Sequence, residues 1–318
     1  ADLLRHSLFA ATDIEKEKLV IGEEISMVFD QPDTWVSILA DELLWPSHPL
    51  GQNIAGTEDS VNGLEREALL QFFGQSYHPH NLLLALGGAF DPARVIPQLE
   101  ELLGDWQPAP PPEFAAAPPQ QTEPRCVVQH RPNEQGHLCL TLPALSRLDP
   151  DRYALSVLNT ILGDGMSSRL FLNIREELGL AYAIDSGLNL LQDTGSLVVY
   201  AGVDPDGAPA ALQAILDELE RLRQEPVSER ELRRAVEYLK GRTVLGLEDS
   251  YSRAAWVAYQ AMFQPTIKSP EEVLAAYSAI SIADVQRVAR HLIDPARYNL
   301  AAVGPFGRGE PLSRLIIT

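Results

Sequence analysis

The sequence lacks three features that would each define a class of protein. Its two cysteines, Cys126 and Cys139, are too few for a disulfide framework and do not have the CxxC spacing of a metal or redox site. No apolar run approaches the ~18 residues that a membrane-spanning helix requires, and no charged-then-apolar signal segment follows Ala1. We therefore expect no membrane partner, and we expect both thiols to be small apolar groups in the core.

Positive charge is also scarce. The 25 Lys and Arg residues are outnumbered by 44 Asp and Glu residues, which gives a net charge of −19. Such a surface repels phosphates, so we expect no nucleic-acid partner. It would attract basic peptides, although a charge that only maintains solubility is the simpler explanation.

Length and composition indicate two globular domains. A chain of 318 residues exceeds what one hydrophobic core usually covers, and 45% hydrophobic with 22% charged residues is close to the globular average. Residues 105–124 contain seven prolines, which remove backbone donors and hold a chain extended. We predict a first domain over 1–105, a semi-rigid hinge linker over 106–124 and a second domain over 125–318.

Two segments are similar enough to indicate an internal duplication. Each of them predicts a helix, a turn with proline, and Asn-Leu leading into a short apolar strand. The two segments are LEREALLQFFGQSYHPHNLLLALGG at 64–88 and IADVQRVARHLIDPARYNLAAVG at 282–304. Upstream, DIEKEKLVIGEEI at 13–25 corresponds in position to SERELRRAVEYLK at 228–240. The first copy has no counterpart of residues 125 to about 216, so we expect the chain to be truncated at its start.

Apolar periodicity predicts an α+β fold, because strands and helices segregate instead of alternating. The second domain has predicted strands at about 126–130, 137–142, 180–191, 196–203 and 298–303. Its predicted helices lie at about 150–162, 167–178, 208–224, 228–247, 250–262, 270–279 and 282–293. We expect two homologous domains, each a mostly antiparallel sheet with helices on one face. The first has one predicted strand, 82–87, and is therefore incomplete.

The helix predicted over 13–29 carries two aligned carboxylates. Glu17 and Glu24 are seven residues apart, which places them within ~20° of the same helix face and about 10.5 Å apart along the axis. One could serve as a metal ligand and the other as a supporting acid. A solvated acidic face, with Lys16 and Lys18 as neighbours, is the alternative.

A second group of polar residues lies in SSRLFLNIREELGLAY at 167–182. This segment predicts a helix with Arg169 and Arg175 near its surface, ended by Gly179 in the left-handed conformation. Tyr182 then begins a strand. Arg175 and Tyr182 therefore flank a helix-to-strand corner, where a guanidinium and a phenol could both donate to a peptide carbonyl. A surface arginine and a sheet-packing tyrosine are the alternative.

Together these segments resemble the pitrilysin/insulinase/mitochondrial-processing-peptidase family of zinc peptidases, the inverzincins. EKEKLVIGEEI at 15–25 is similar to the family's Glu helix, and HPLGQNIAGTEDSV at 48–61 and YHPHNLLLALGG at 77–88 are similar to its next two blocks. Residues 167–182 resemble the Arg-to-Tyr signature of the family's second domain. The resemblance covers nearly the whole chain in order, but the family's H-x-x-E-H motif is absent.

The resemblance implies roles for four residues. Glu24 would be the third zinc ligand, and Glu17 the acid two turns earlier that supports it. Arg175 and Tyr182 would bind substrate backbone near the scissile bond. In the family, H-x-x-E-H precedes the Glu helix, within the part that the first copy lacks. We therefore expect an incomplete zinc site in this chain.

The resemblance implies a zinc-dependent endopeptidase that acts on unfolded or basic peptides inside a two-domain clamshell, represented here by a chain that is inactive alone. One alternative is a catalytically inactive partner or core-type scaffold subunit. Another is a peptide-binding or assembly module that uses only the Arg175 and Tyr182 surface. We expect a homodimer, or a heterodimer with a homologous subunit. We also expect a cytoplasmic location, with the periplasm and an organelle matrix as alternatives.

Overall fold

The computed structural model describes residues 1–111, 113–118, 121–307 and 310–317. It divides into two compact units, one formed by 1–27, 53–115 and 245–267 and the other by 28–52, 116–244 and 268–318. In the predicted linker, Pro112, Pro119 and Gln120 lie outside the described residues, and the rest of 106–124 contains no helix or strand. The predicted domain limits stay predictions.

Helices account for most of the regular structure. Within the described ranges the α-helices are α1 (Asp2–Arg5), α2 (Ala11–Asp30), α3 (Pro32–Leu44), α4 (Glu58–Asn62), α5 (Arg66–Ser76), α6 (Pro92–Leu103), α7 (Arg152–Leu162), α8 (Ala208–Gln224), α9 (Glu229–Leu245), α10 (Ser250–Phe263), α11 (Pro270–Ser278), α12 (Ile282–Leu292) and α13 (Glu310–Ile316). A π-helix covers Phe171–Glu177, and single 3₁₀ turns cover Pro49–Gly51, Pro79–Asn81 and Pro295–Arg297. No helix among the residues described has the length and apolarity to cross a membrane.

The predicted strands of the second half are confirmed and form one sheet. The strands assigned in the described part are β1 (Arg125–His130), β2 (Gly136–Ala144), β3 (Ala181–Leu190), β4 (Gly195–Val203) and β5 (Asn299–Gly304). They lie in the order β1-β5-β2-β4-β3. β1 and β5 are parallel and the other three pairs are antiparallel. The α+β class and the mostly antiparallel sheet are therefore as expected.

Side chains alternate between the two faces of the sheet, so each face has its own core. Leu138, Leu140 and Leu142 of β2 are at most 1% exposed and belong to the larger core, on which α7, α8 and α12 pack. Burying each such leucine contributes about 1.5–3 kcal/mol relative to leaving it exposed. On the opposite face, Val36 and Ala40 of α3 pack against β2 and β5. Helices thus cover one face of the sheet as expected, and α3 packs on the other face as well.

The predicted strand at 82–87 is wrong. No strand is assigned to residues 82–87, and Leu83, Leu84 and Leu86 are 38%, 51% and 49% exposed. A strand needs a neighbour for its backbone N–H and C=O groups. Nothing in the described part of the chain pairs with this segment.

Both cysteines are free thiols. Cys139 is buried on β2 and Cys126 is partly buried on β1. Burial raises the pKa of Cys126 to about 11 and that of Cys139 to about 12, with smaller contributions to Cys139 from Asp41 and Asp185. Neither thiol forms a thiolate near neutral pH, which confirms that both act as small apolar groups.

Candidate functional site

The two predicted acidic residues lie on the exposed side of α2. Glu17 and Glu24 are both exposed, and α2 has no buried residue. The neighbouring lysines pair with other acids: Lys18 Nζ lies 2.9 Å from Glu15 Oε1, and Lys16 pairs at 3.8 Å with Asp13. Glu17 and Glu24 are therefore left available to solvent or to a ligand.

The zinc site expected from the sequence is incomplete in this structure. Among the residues described, no group of three or more His, Cys, Asp and Glu side chains could hold a metal ion. A protein zinc site takes at least three such ligands. Glu24 is a single exposed carboxylate, so the side chains that the structure describes do not fit a bound zinc ion by themselves.

Arg175 lies in the last turn of an unusual helix. Residues Phe171–Glu177 form a π-helix, in which the N–H of Leu178 donates to the carbonyl of Asn173, five residues earlier, at 2.9 Å. Gly179 ends the helix with φ +63°, the left-handed conformation predicted for it. Single π turns are frequent at functional sites. The Arg175 guanidinium is exposed and lies 4.8 Å from the centroid of the Phe171 ring.

Tyr182 lies at an irregularity in the strand that follows. On β4, Val203 pairs with Ala181 and Gly202 pairs with Ala183, so Tyr182 has no partner there. An extra residue of this kind is a β-bulge, and a bulge changes the direction of its side chain. Tyr182 is 58% exposed, so its phenol is open to solvent. The predicted corner therefore exists, with Arg175 and Tyr182 exposed on either side of Gly179.

Arg169, which the sequence places near the helix surface, has a structural role. Its Nε and Nη2 lie 2.7 Å and 3.2 Å from the two carboxylate oxygens of Glu231 on α9. Burial alone would raise the pKa of Glu231, but hydrogen bonds from Arg169 and Ser228 outweigh it and lower that pKa to about 2. Arg169 is thus held in a partly buried charge pair, whereas Arg175 has only an exposed one, with Glu176 at 3.9 Å, and remains accessible.

Sequence reasoning missed an acidic groove between α3 and the sheet. It has a volume of about 510 Å³, and its walls include Asp33 and Asp41 of α3, Thr141 of β2, Asp185 of β3 and Tyr200 of β4. Burial raises the pKa of Asp41 to about 6. Burial, and then the charge of Asp164, raise the pKa of Asp185.

A histidine–tyrosine pair lies next to this groove. His137 Nδ1 is 2.9 Å from the Tyr200 hydroxyl. Burial lowers the pKa of His137, although the charge of Asp33 opposes this effect. A neutral imidazole can accept the phenol proton in a hydrogen bond. Burial, then the charges of Asp33 and Asp185, raise the pKa of Tyr200 to about 12, so the phenol stays protonated.

Solved structures with a similar fold include peptidases. A protease from Helicobacter pylori aligns with a TM-score of 0.86 over 93% of this chain and 73% of its own, at 20% identity. The peptidase M16 inactive domain from Pseudomonas fluorescens aligns with a TM-score of 0.86 over 96% of this chain and 73% of its own, also at 20% identity. At this level of identity the similarity shows the fold.

Related sequences define the family. Residues 63–239, just over half of the chain, match the family domain described as the peptidase M16 inactive domain. An uncharacterized zinc protease of Streptomyces coelicolor is 33% identical over 99% of this chain and 69% of its own length. Another, from Bacillus subtilis, is 30% identical over 96% of this chain and 74% of its own length. The chain therefore belongs to the peptidase M16 family, which confirms the resemblance inferred from its motifs.

Proposed function

We propose that this chain is part of a zinc-dependent endopeptidase that acts on unfolded peptides enclosed between two homologous domains. The observation that carries the proposal is the match to proteins named zinc proteases over nearly the whole chain. The two halves would supply different functions: the leading half a carboxylate for the metal, and the second half a surface for the peptide.

Glu24 would contribute one ligand to a zinc ion, with Glu17 as the supporting acid. Their exposure on α2 and their lack of described hydrogen bonds or ion pairs support this role. Because the described residues do not form a metal site, this role would need further ligands from outside them. We expect the 318-residue chain alone to be inactive as a peptidase.

Arg175 and Tyr182 would hold the peptide. The guanidinium and the phenol are both donors, and a peptide carbonyl is an acceptor for each. In the described sheet β3 lies at one end of the strand order, so near Tyr182 its outer backbone groups have no neighbouring strand, whereas further along those of Ser186 are bonded to Gly163 and Asn159. Arg175 would therefore fix the position of a carbonyl beside a strand that can pair with the peptide backbone.

The metal role is tested with a polypeptide that joins this chain to a segment carrying H-x-x-E-H. We expect cleavage of an unfolded peptide that a chelator abolishes and that Glu24→Gln reduces by about 100-fold or more. Glu23→Gln, at the adjacent exposed position, is the matched control and should retain activity. Full activity of the Glu24→Gln protein would remove Glu24 from the ligand set.

The peptide role is tested by titrating an unfolded peptide against the chain. Arg175→Ala should weaken binding by about tenfold, because a charge-assisted hydrogen bond is lost. Arg290→Ala, which removes an exposed arginine from α12, should leave the affinity unchanged. Equal losses in both variants would indicate a general charge effect instead of a site.

An inactive partner subunit is the second candidate function. It is supported by the description of the matched domain as inactive and by the incomplete metal site. In that case the joined polypeptide would bind peptide but not cleave it. We also propose that the chain works as a homodimer or with a homologous subunit, which light scattering on the purified chain would test.

A further inference from the structure

The residues that line the acidic groove between α3 and the sheet include neither Arg175 nor Tyr182, and the function proposed above does not use this groove. Asp33 and Asp41 approach it from α3, and Asp185 approaches it from β3. Among the described residues, those that line it include no Lys, Arg or His. The groove is therefore a concave surface with a concentration of negative charge.

The charges of the three carboxylates influence the same neighbouring side chains. The charges of Asp41 and Asp185 both contribute to the raised pKa of Cys139, and those of Asp33 and Asp185 to that of Tyr200. Among the described residues, no Lys or Arg contributes to the pKa shifts of Cys139, Tyr200, Asp41 or Asp185. Asp33 and Asp185 are exposed, but Asp41 is partly buried, and a partly buried carboxylate without a positive partner is costly because part of its hydration is lost and not compensated.

The floor of the groove contains a polar group without a partner. Thr141 is 1% exposed, and its Oγ1 has no hydrogen-bond partner among the described residues. It lines the groove on the same face of β2 as Cys139. Buried hydroxyl groups are normally hydrogen-bonded, so an unpaired one beside a groove can take a hydrogen bond from a molecule bound there. A donor at this position would satisfy Thr141 Oγ1.

We propose that this groove binds an alkylguanidinium or alkylammonium group, supplied by a basic side chain of a peptide or by a small free amine. Asp41 and Asp185 would accept charge-assisted hydrogen bonds from the cation, and Thr141 Oγ1 would accept a further one. The Tyr200 hydroxyl, held by His137, would form part of the wall. The groove volume of about 510 Å³ is in the range of small-ligand sites.

The test is isothermal titration of the full chain with three probes. They are agmatine, a blocked glycine peptide with one central arginine, and the same peptide with citrulline in place of arginine. Citrulline has nearly the shape of arginine but no charge. We expect agmatine, the arginine peptide, or both to bind, and the citrulline peptide to bind at least about tenfold more weakly. Binding of agmatine indicates that the cation suffices, and binding of the arginine peptide alone indicates that backbone contacts are also needed.

Two variants locate the site. Asp41→Asn should lower the affinity for the probe that binds by about tenfold or more. Thr141→Val should lower it by a smaller factor of about three to ten. Asp217→Asn on α8, which packs on the other face of the sheet, is the matched control. Circular dichroism confirms that each variant is folded. Equal binding of the citrulline peptide, no binding of either cation, or unchanged affinity in folded Asp41→Asn would each overturn the proposal.

Discussion

The two similar segments of the chain, 64–88 and 282–304, share local structure but differ in tertiary structure. α5 and α12 are each eleven residues long, and each is followed by a single 3₁₀ turn that begins at a proline, Pro79 or Pro295. Beyond this turn the second segment enters the sheet as β5, whereas the first forms no strand. The helix and the turn therefore follow from local sequence, and the strand requires neighbours.

Burial differs in the same way. α12 buries Val285, Val288, Ala289 and Leu292, but α5 has no buried residue. Asn299 is fully buried and its amide donates to Gln121 Oε1 at 2.9 Å, while the exposed Asn81 donates to the carbonyl of Ser76 at 2.9 Å. The two segments are similar in sequence, but the second buries many more of its side chains than the first.

The largest expected effect comes from truncating the apolar residues of the two segments. Leu300→Ala removes a fully buried side chain from β5, an interior strand of the sheet, and should cost about 3–5 kcal/mol of unfolding free energy. Leu84→Ala, in the unpaired segment and 51% exposed, should cost about 0.5 kcal/mol or less. Urea denaturation followed by circular dichroism measures both. Similar losses would show that 82–87 is buried in solution and that the two segments are equivalent.

An intermediate effect is expected from the ion pairs of the two regions. Arg169→Ala breaks a pair whose side chains are 13% and 21% exposed and should cost about 2–3 kcal/mol, since Glu231 keeps its bonds to Ser228. Lys16→Ala, in a pair that is 78% and 75% exposed, should cost about 0.5 kcal/mol or less.

The pH dependence of the Arg169→Ala loss provides a further check. The Glu231 pKa is lowered from 4.5 to about 2, so this stabilisation is present above pH 4.5 and disappears as the pH falls toward 2. A loss that is constant from pH 7 to pH 2 would show that packing, not charge, is responsible.

The smallest effect is a gain of stability at Asp41. Its pKa is raised from 3.8 to about 6, so the ionised carboxylate destabilises the folded chain above pH 6, and the penalty vanishes as the pH falls to 3.8. Asp41→Asn should therefore stabilise the chain by about 1–2 kcal/mol at pH 8 and have little effect at pH 3.8. Glu23→Gln on the exposed side of α2 should change stability by less than about 0.5 kcal/mol at both pH values. A gain at Asp41 that does not depend on pH would contradict the assigned cause.

Much of the second half could be predicted from sequence, because its elements follow from apolar periodicity. The five strands and the left-handed Gly179 are local properties of that kind. The π form of Phe171–Glu177 and the bulge at Tyr182 could not be predicted, since one extra residue barely changes the periodicity.

The acidic groove also escaped prediction. Asp41 and Asp185 are more than 140 residues apart in the chain, and no local pattern relates them. They meet only because α3 packs on the second face of the sheet. The candidate residues Glu17, Glu24, Arg175 and Tyr182 came from motif resemblance, and their roles stay predictions.

The bulge in β3 has an evolutionary consequence. Tyr182 has no pairing partner on β4. A different side chain at this position therefore leaves the partners of Ala183 to Leu190 unchanged. A regular strand would couple such an exchange to the packing of the sheet. The side chain at this corner can therefore change by point mutation without any change to the strand pairing that supports it.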